Sequence, residues 1–529
     1  MTPAANSLNT QPVLIDGRWR APVASDTFRA IDPTTGASQE AVWPVSAWSD
    51  VDAALVAAVA AAAELAKVPG EKLALFLERY AERLALQSDQ LIAIAHAQTA
   101  LAIKPRLSDI ELPRTLDQLR QAATAAREGS WRLPVIDRPR NIRAAAFGLG
   151  PVVVLPPANF PFAYGAVTGG DFAAAIAAGN PVLAKAHPGH PGVSQLAAVE
   201  ALAALQETGL PPATVQLLHG ISPSDGERLV ADLRVGATGF TGGHAAGQRL
   251  SAAAAASGRV IWVEMGSLNP VVLLPSALAE RGPEIAGELV ASVTGSAGQF
   301  CTKPGVVFFI DDAAGLSFLR SLTERFAAVG PQVLLSPLGQ SRLVAAVESL
   351  KAAGARVVVG GTAGAGSCRY LGTLLEVTAA ELLANPEALL VEAFGNATVL
   401  VRCATFDELT RGMMPLQGAL AGSVYCGTSG RDDVQAATII AHLLSRVGRL
   451  IENRMPTGLA VSPAMQHGGP WPSASPPFFS AVGMPWSLLR FARRICYDGL
   501  SQQRLPECLR DQPPVGQPWR SIDGAWTRS

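Results

Sequence analysis

The run GPVVVLPPAN (150–159) is the first of several short apolar runs that alternate with helical stretches. The next runs are PVLAKAHP (181–188), VQLLHG (215–220), ATGFTGG (237–243), VIWVEMG (260–266) and NPVVLLP (269–275). The intervening stretches predict helices near Asp171–Ala178, Ser194–Glu207, Asp225–Asp232 and Ala245–Ser257. Strands that alternate with helices at this spacing form βαβ units. The pattern therefore predicts an α/β fold with a parallel sheet covered on both faces.

A second alternating series follows the first. Its apolar runs are GVVFFID (305–311), ARVVVGG (355–361), ATVLVRC (397–403), SVYCG (423–427) and GRLIENR (448–454). The change from one series to the other falls near Gly266–Pro270. Two series of this kind predict two sheet domains, and the last 60 residues have an irregular pattern.

The N-terminal part reads differently. The first 40 residues predict short strands and turns, and amphipathic helices follow. Ser49-Asp50 is the expected N-cap of a helix over Val51–Ala66. Further helices are expected over Lys72–Leu86 and Asp89–Gln98, and an extended arm over Arg138–Phe147.

Composition excludes several classes of protein. The 529 residues include 42 basic and 43 acidic side chains, and a net charge of −1 gives no reason to expect nucleic acid or an anionic membrane as partner. No apolar run approaches the roughly 20 residues of a membrane span. The N-terminus lacks the pattern of a secretory signal, and six widely spaced cysteines without a C-x-x-C pair indicate free thiols. A cytoplasmic enzyme is the expectation.

Ligand sites in open α/β sheets lie at the carboxyl ends of strands. In the first series these positions carry Asn159, Lys185, Gly242-Gly243 and Glu264. Each alone is a weak signal, because a lysine at a strand end is usually solvated and a glycine pair is usually a turn. Neither G-x-G-x-x-G opening a helix nor a P-loop is present, so a nucleotide must bind in another way.

The sharpest local signal is TGSAGQFCTKPG (294–305), which places Cys301 in a turn rich in glycine and serine. A cysteine is often a small buried apolar residue. Here the flanking glycines, a nearby helix terminus and polar Thr302-Lys303 predict an accessible thiol with a lowered pKa. A carboxylate such as Glu264 at the end of an apolar strand needs a function or a partner. Together the two groups suit covalent catalysis followed by hydrolysis.

Seven ordered segments now resemble one family. They are PPANFPF (156–162), VLAKAHP (182–188), GFTGG (239–243), VEMGSLNP (263–270), GQFCTKPG (298–305), EAFGNA (392–397) and MPTGLAV (455–461). Their order and spacing resemble the aldehyde dehydrogenase superfamily over most of the chain. The tail MQHGGPWPSAS (465–475) is similar to the NADP-preferring branch that contains α-ketoglutarate-semialdehyde (2,5-dioxopentanoate) dehydrogenases and a bacterial fatty aldehyde dehydrogenase.

The resemblance implies catalytic roles. Cys301 matches the nucleophile, which forms a thiohemiacetal with the aldehyde and, after hydride transfer, a thioester. Asn159 matches the donor to the oxyanion, and Glu264 the base that activates water for hydrolysis. His467 matches a histidine near the active site, although a satisfied loop histidine is an equally good interpretation.

The resemblance also implies a cofactor site. Lys185 matches a contact to the adenosine ribose and Gly242-Gly243 the turn beside the cofactor. Glu392 matches the carboxylate on the nicotinamide ribose, with Phe394 beside it. Pro188 stands where NAD-preferring members often carry glutamate, which permits a 2′-phosphate, so NADP is favoured and NAD remains possible. No phosphate-binding arginine is evident, and Arg228 is the nearest basic residue.

Three positions depart from the family pattern. Asn396 stands where proline is usual after Phe-Gly, Lys303 where this branch usually has asparagine, and Gly243 where many members have serine. His187 and His190 are close in sequence without further ligands, so no metal is expected.

The implied organisation is two Rossmann-type parallel-sheet domains and an oligomerisation arm. Residues 1–130 and 150–266 would bind NAD(P), and 267–455 would form the catalytic domain. Residues 131–149 and 456–529 would form the arm and C-terminal segment of a homodimer or homotetramer. Two alternatives stay open, namely a CoA-acylating aldehyde dehydrogenase and a catalytically silent structural or binding homologue. Retention of Glu264, which matches the base, disfavours the first. The resemblance implies α-ketoglutarate semialdehyde or another aliphatic aldehyde as the substrate, which is oxidised to the carboxylic acid.

Overall fold

The computed structural model describes residues 10–512 and 518–528. Residues 1–9, on which the predicted absence of a secretory signal depends, lie outside the described residues. Residues 513–517 and 529 of the predicted C-terminal segment also lie outside them. Two large sheets dominate the described chain, and the α/β prediction is confirmed. Among the described helices, none is both long enough and apolar enough to cross a bilayer.

The first sheet has eight strands. Its spatial order is Arg18–Arg20, Val13–Ile15, Val215–Leu218, Val182–Lys185, Val152–Leu155, Ala237–Thr241, Val260–Glu264 and Ala474–Ser475. Five of the six runs of the first series form strands that lie side by side and pair in parallel, and antiparallel strands close both edges. The sixth run, NPVVLLP, supplies Val271–Leu273 of the second sheet. These central strands are apolar because helices cover both of their faces.

The second sheet has seven strands. Its spatial order is Arg356–Val359, Thr373–Thr378, Ala397–Cys403, Val306–Ile310, Val271–Leu273, Ala419–Tyr425 and Val447–Glu452. All neighbours pair in parallel except the first two. The sequence patterns identified every strand of this sheet but Thr373–Thr378, whose residues TLLEVT read as a weak alternation.

The α-helices include all seven whose bounds the sequence predicted, each to within a few residues at either end. They are Trp48–Leu65, Gly70–Leu86, Ser88–Thr99, Leu112–Glu128, Gly170–Ala177, Pro191–Thr208, Pro223–Val230, His244–Ala256, Pro275–Thr294, Ala313–Ala327, Pro337–Ala352, Ala379–Ala384, Pro386–Leu389, Phe406–Met413 and Asp433–Leu444. A π-helix spans Ile103–Glu111, and short 3₁₀ segments span Ser130–Arg132, Pro212–Thr214, Gly295–Gly298, Trp486–Phe491, Gln502–Arg504 and Glu507–Leu509.

Two local predictions are wrong. The helix expected to begin after a Ser49-Asp50 cap begins at Trp48, and Asp50 is instead buried where it accepts a hydrogen bond of 2.9 Å from the Val23 backbone N–H. A long-range partner has thus replaced the local cap.

The end of the chain is also more regular than predicted. Three of its segments join the predicted extended arm in a five-stranded sheet of order Ala492–Asp498, Ile142–Gly148, Val135–Asp137, Arg520–Ile522 and Ala525–Thr527. Smaller sheets contain Gly220–Ile221, Trp43–Ser46 and Ala24–Phe28, and Gln332–Val333 with Arg369–Tyr370.

Candidate active site

The candidate site lies where the two large sheets face each other. Glu264 is the last residue of its strand in the first sheet, and Asn159 follows another strand of that sheet by four residues. Cys301 and Glu392, by contrast, each come five residues before a strand of the second sheet. The carboxyl ends of one sheet and the amino ends of the other therefore supply the site together.

Three predicted catalytic residues meet at one point. The Cys301 Sγ lies 3.5 Å from Nε2 of His467, and the same nitrogen lies 3.2 Å from Oε2 of Glu264. One potential ligand or proton-transfer atom from each of the three lies within 4.8 Å of the others. The imidazole of His467 thus stands between the thiol and the carboxylate, and it is not a remote loop histidine.

The strand at the edge of the first sheet explains how His467 arrives there. Ala474 pairs with Glu264, and the Met265 backbone N–H donates a 2.8 Å hydrogen bond to the Ser473 carbonyl. This pairing brings the preceding HGG segment beside the end of the Glu264 strand. A histidine some 200 residues away in sequence is positioned by backbone hydrogen bonds.

Glu264 is 1% exposed, and neither of its carboxylate oxygens has a hydrogen bond of acceptable geometry from the described residues. The His467 nitrogen is close enough to pair with it but is poorly aligned. Burying a carboxylate without hydrogen bonds costs several kcal/mol. The Glu264 carboxylate therefore has lone pairs that can accept a proton from water or from the thiol.

The predicted lowered pKa of Cys301 is wrong. Burial, and then the negative charge of Glu264, raise the pKa of the Cys301 thiol well above its ordinary value, and the charge of Arg114 opposes this only in part. The neighbouring helix, Pro275–Thr294, presents its negative C-terminal end to this turn. The polar neighbours Thr302 and Lys303 are buried, so they do not expose the thiol. The thiol therefore needs a base, and two stand beside it.

Asn159 is held beside the Cys301 turn from two sides. Its Nδ2 donates a 2.8 Å hydrogen bond to the Gln299 carbonyl, which leaves a second amide hydrogen for an oxyanion. Its own carbonyl accepts a 2.9 Å hydrogen bond from Arg106, which is ion-paired with Glu111. Glu111 also accepts hydrogen bonds from the backbone N–H groups of residues 162 and 163. Sequence reasoning missed this buried ion pair because it comes from an unrelated helical segment.

Asn269 is a second residue that sequence reasoning missed, although it lies in the motif VEMGSLNP. Its Nδ2 donates to the backbone carbonyls of Cys301 at 2.8 Å and Lys303 at 2.9 Å. It is fully buried and has a positive φ of 44°. One amide side chain therefore fixes both ends of the turn that carries the thiol.

A cavity of about 350 Å³ opens onto Cys301 and His467. Its apolar lining includes Phe160, Phe300, Leu459 and Val461. The aromatic residues Trp471, Phe478 and Phe479 of the C-terminal part do not line it. Trp471 and Phe478 are exposed and Phe479 lies in the core.

Two arginines also line this cavity, and they differ in their partners. Arg106 is committed to Glu111 and to the Asn159 carbonyl. Arg114 donates to Gln118 at 3.0 Å and to the Tyr164 hydroxyl at 3.2 Å. Among the described residues, Arg114 forms no ion pair, because no carboxylate oxygen lies within 4.0 Å of its guanidinium nitrogens. Asp117 also lines the cavity, but its carboxylate accepts a 2.7 Å hydrogen bond from Gln121 and forms no ion pair with Arg114. The Arg114 guanidinium therefore lines the cavity without an ion-pair partner among the described residues.

The residues expected to bind a cofactor lie on both sheets. Gly243 is the N-cap of the helix His244–Ala256, whose first turn has no side-chain cap, and a Cβ on Gly243 would meet no atom within 4 Å. Uncapped helix N-termini bind phosphate groups well. A serine would fit at Gly243, so packing does not require glycine there. A Cβ on Gly242, in contrast, would collide with the ring of Phe240.

The other cofactor candidates are accessible to a ligand. Lys185 ends its strand partly buried, which lowers its pKa to about 8. Pro188 is exposed, and the ring of Phe394 is 39% exposed beside the half-buried Glu392. The described groups thus fit a dinucleotide with a phosphate at the helix N-terminus and a ribose at Glu392. The nearest basic residue expected for a 2′-phosphate, Arg228, instead stacks on Trp48 with 3.7 Å between its guanidinium carbon and the ring centroid.

The comparisons with known proteins agree with this geometry. The sequence pattern of the aldehyde dehydrogenase family matches residues 19–474. The chain belongs to the aldehyde dehydrogenase family.

Two curated relatives of this aldehyde dehydrogenase match over nearly their whole length. Alpha-ketoglutaric semialdehyde dehydrogenase 2 of Azospirillum brasilense is 37% identical over 522 residues, which cover 95% of this chain and 96% of the relative. Alpha-ketoglutaric semialdehyde dehydrogenase of Acinetobacter baylyi is 30% identical over 535 residues, which cover 99% and 100%. The family resemblance inferred from the seven motifs is confirmed.

Solved structures share the fold. Lactaldehyde dehydrogenase of Escherichia coli has a TM-score of 0.78 at 22% identity and covers 92% of this chain and 98% of its own. Aldehyde dehydrogenase C of Pseudomonas syringae, solved with NAD⁺ and octanal, has a TM-score of 0.79 at 20% identity and covers 95% and 100%. These structures show the shared fold, and the family match over residues 19–474 shows an NAD(P)-dependent oxidoreductase that acts on aldehydes.

Proposed function

We propose that the chain oxidises α-ketoglutarate semialdehyde to the dicarboxylate, with Arg114 binding the carboxylate end of the substrate. The observation that supports this is the Arg114 guanidinium, which lines the cavity that opens onto Cys301 and has neutral hydrogen-bond partners but no carboxylate partner among the described residues. The substrate has an aldehyde at one end and a carboxylate at the other. The names of the two curated relatives point to the same substrate.

The proposed chemistry begins at Cys301. Glu264 or His467 takes the thiol proton, and the thiolate adds to the aldehyde carbon to form a thiohemiacetal. The oxyanion receives hydrogen bonds from the free Nδ2 hydrogen of Asn159 and from the Cys301 backbone N–H. The bound nicotinamide supplies the acceptor for the hydride. Loss of that hydride leaves a thioester on Cys301.

Hydrolysis completes the reaction. Glu264 takes a proton from a water molecule, which attacks the thioester carbonyl, and the thiol leaves with the product carboxylate released. The His467 imidazole lies between the thiol and the carboxylate, within reach of both groups. Thiol, imidazole and carboxylate are also metal-binding groups, but an ion on Cys301 would occupy the electron pair that attacks the aldehyde. We therefore assign no metal.

For the cofactor we propose NADP⁺, with NAD⁺ as the alternative. Pro188 supplies no negative charge to repel a 2′-phosphate, and Lys185 supplies a positive group at the end of the strand that precedes Pro188. We further propose that residues 1–130 and 150–266 bind the cofactor and that residues 267–455 carry the nucleophile. The arm, 131–149 with 456–529, would join copies of the chain into a homodimer or homotetramer, and the cytoplasmic location also stays a prediction.

The test compares two five-carbon aldehydes, α-ketoglutarate semialdehyde and uncharged pentanal, in wild type and Arg114→Met. A hydrogen bond to a charged group contributes about 1.5–3 kcal/mol, so the variant should lose roughly 10- to 150-fold in kcat/KM for the charged substrate. Because Arg114 also favours the Cys301 thiolate, some loss is expected with both aldehydes. The ratio of the two kcat/KM values removes this shared effect.

Arg120→Met is the matched control, since Arg120 is exposed on the same helix and does not line the cavity. The control should retain the wild-type ratio. An Arg114→Met variant with the wild-type preference for the charged aldehyde would contradict the proposed substrate site.

A further inference from the structure

Lys303, where the family resemblance leads us to expect asparagine, lies two residues after the thiol and is 1% exposed. Fully buried lysines are rare unless they are paired. Its Nζ donates a 3.1 Å hydrogen bond to the Ala393 carbonyl and a further hydrogen bond to the Ala397 carbonyl. One ammonium group thus joins both ends of the segment that follows Glu392 to the Cys301 turn.

The backbones of the turn and this segment are also in direct contact. Gly298 has a φ of +67°, and a Cβ there would collide with the Gly395 carbonyl. Any other residue at this position would separate the two segments. The hydrogen bonds of Lys303 therefore act across an interface that is already closely packed.

The second departure from the family pattern lies in the same segment. Asn396, where proline is expected, is fully buried and donates hydrogen bonds to the Tyr370 carbonyl at 3.0 Å and to Gln332 at 3.3 Å. Both unusual residues therefore hold residues 392–397. Asn396 holds this segment through hydrogen bonds from an uncharged amide, whereas Lys303 holds it through hydrogen bonds from a charged ammonium group.

The charge of Lys303 reaches Glu392. Burial raises the pKa of Glu392 to about 7, while the positive charge of Lys303 and a hydrogen bond from the Ser267 backbone oppose that rise. Burial likewise lowers the pKa of Lys303 to about 8, and Glu392 opposes that fall. The Cys301 thiol also interacts with Glu392, whose negative charge contributes to the raised pKa of the thiol.

We propose that Lys303 is a positioning residue that holds the Glu392 segment against the Cys301 turn and supplies the positive charge facing Glu392. This inference rests on the proposed cofactor role of Glu392. Lys303 thereby connects two parts of the site. It fixes Cys301, which binds the substrate that donates the hydride, relative to Glu392, which would bind the ribose of the cofactor.

The test measures the dissociation constant of NAD⁺, which has no titrating 2′-phosphate, between pH 6 and pH 8.5. Wild type and the Lys303 variants are compared below pH 8, where Lys303 of wild type is still charged. In wild type the constant should rise as pH falls through about 7, because a protonated Glu392 no longer offers a charged acceptor to the ribose. Lys303→Met keeps the length of the side chain and removes its charge. Glu392 should then take up its proton at higher pH, so binding at pH 7 should weaken about tenfold.

Two further variants separate charge from packing. Asn396→Ala removes an uncharged hydrogen bond from the same segment, so it should weaken binding without moving the pH at which binding changes. Lys303→Asn is the second variant if Lys303→Met does not fold. A wild-type pH profile in the folded Lys303 variants would overturn the role of Lys303.

Glu392→Gln tests the foundation of the inference. It should bind the cofactor weakly and without the pH dependence near 7. A Glu392→Gln variant that binds as tightly as wild type would overturn the cofactor role of Glu392 itself. Weak binding by Glu392→Gln, together with unchanged Lys303 variants, would overturn only the role of Lys303.

Discussion

Replacing Glu264 with glutamine should separate the two halves of the reaction. The amide nearly matches the carboxylate in shape but is not a useful base, so the thioester on Cys301 should persist. General-base catalysis contributes about 10²- to 10⁴-fold, so steady-state turnover should fall by that factor. At 1.36 kcal/mol per tenfold, this is about 2.7–5.4 kcal/mol of barrier.

The first half of the reaction should survive for an electrostatic reason. The Glu264 carboxylate is one cause of the raised Cys301 pKa, and glutamine carries no charge. The thiol of the variant should therefore ionise at lower pH than that of wild type. His467, at 3.5 Å from Sγ, remains as an acceptor for the thiol proton.

Rapid mixing of Glu264→Gln with excess NAD(P)⁺ and aldehyde gives the readout. A burst of reduced cofactor should appear, up to about one per active site, followed by a slow phase. Intact-protein mass should show an acyl adduct that Cys301→Ser lacks. If the burst is slow at pH 7.5, raising the pH to 9 should speed it, because burial keeps the thiol pKa high and the thiolate fraction grows about tenfold per pH unit below that pKa. Neither burst nor adduct at either pH would refute the assignment of Glu264 as the deacylating base.

Three further substitutions test other parts of the site. Cys301→Ser should fold and bind cofactor but retain less than about a thousandth of the oxidation rate, since the hydroxyl offers almost no nucleophile at neutral pH; a higher rate would exclude Cys301 as nucleophile. Asn159→Ala should lower kcat by about 10²- to 10³-fold, or about 2.7–4 kcal/mol, through loss of an oxyanion donor, and a kcat within threefold of wild type would contradict that role. Pro188→Glu should shift the ratio of kcat/KM values toward NAD⁺ by placing a negative charge near the 2′-phosphate; a wild-type preference for NAD⁺ of tenfold or more would contradict the proposed cofactor.

Local patterns in the sequence were enough to predict most strands of both large sheets, because their apolar runs are short and end at polar or glycine residues. They missed Thr373–Thr378 and the edge strand Ala474–Ser475. The family resemblance, together with the position of Glu264 at a strand end, predicted that Cys301 and Glu264 lie in one catalytic site. The rule that sites follow strands holds for Glu264 and Asn159. It does not hold for Cys301 and Glu392, which precede strands of the second sheet.

What the sequence could not predict depends on contacts between distant segments. The ion pair of Arg106 with Glu111 forms within one helical segment but acts on the Asn159 carbonyl. The pKa of Cys301 was predicted in the wrong direction because its burial and its distance from Glu264 are properties of the folded chain. Lys303 reads as a solvent-exposed lysine until its carbonyl partners in the Glu392 segment are known.

The most direct test of the account is the product formed from α-ketoglutarate semialdehyde by wild-type enzyme with NAD(P)⁺ and no CoA. The account predicts one equivalent of free dicarboxylate for each equivalent of reduced cofactor, with no change when CoA is added. Reduction that requires CoA and yields a thioester product, or no reduction with this aldehyde at all, would contradict it.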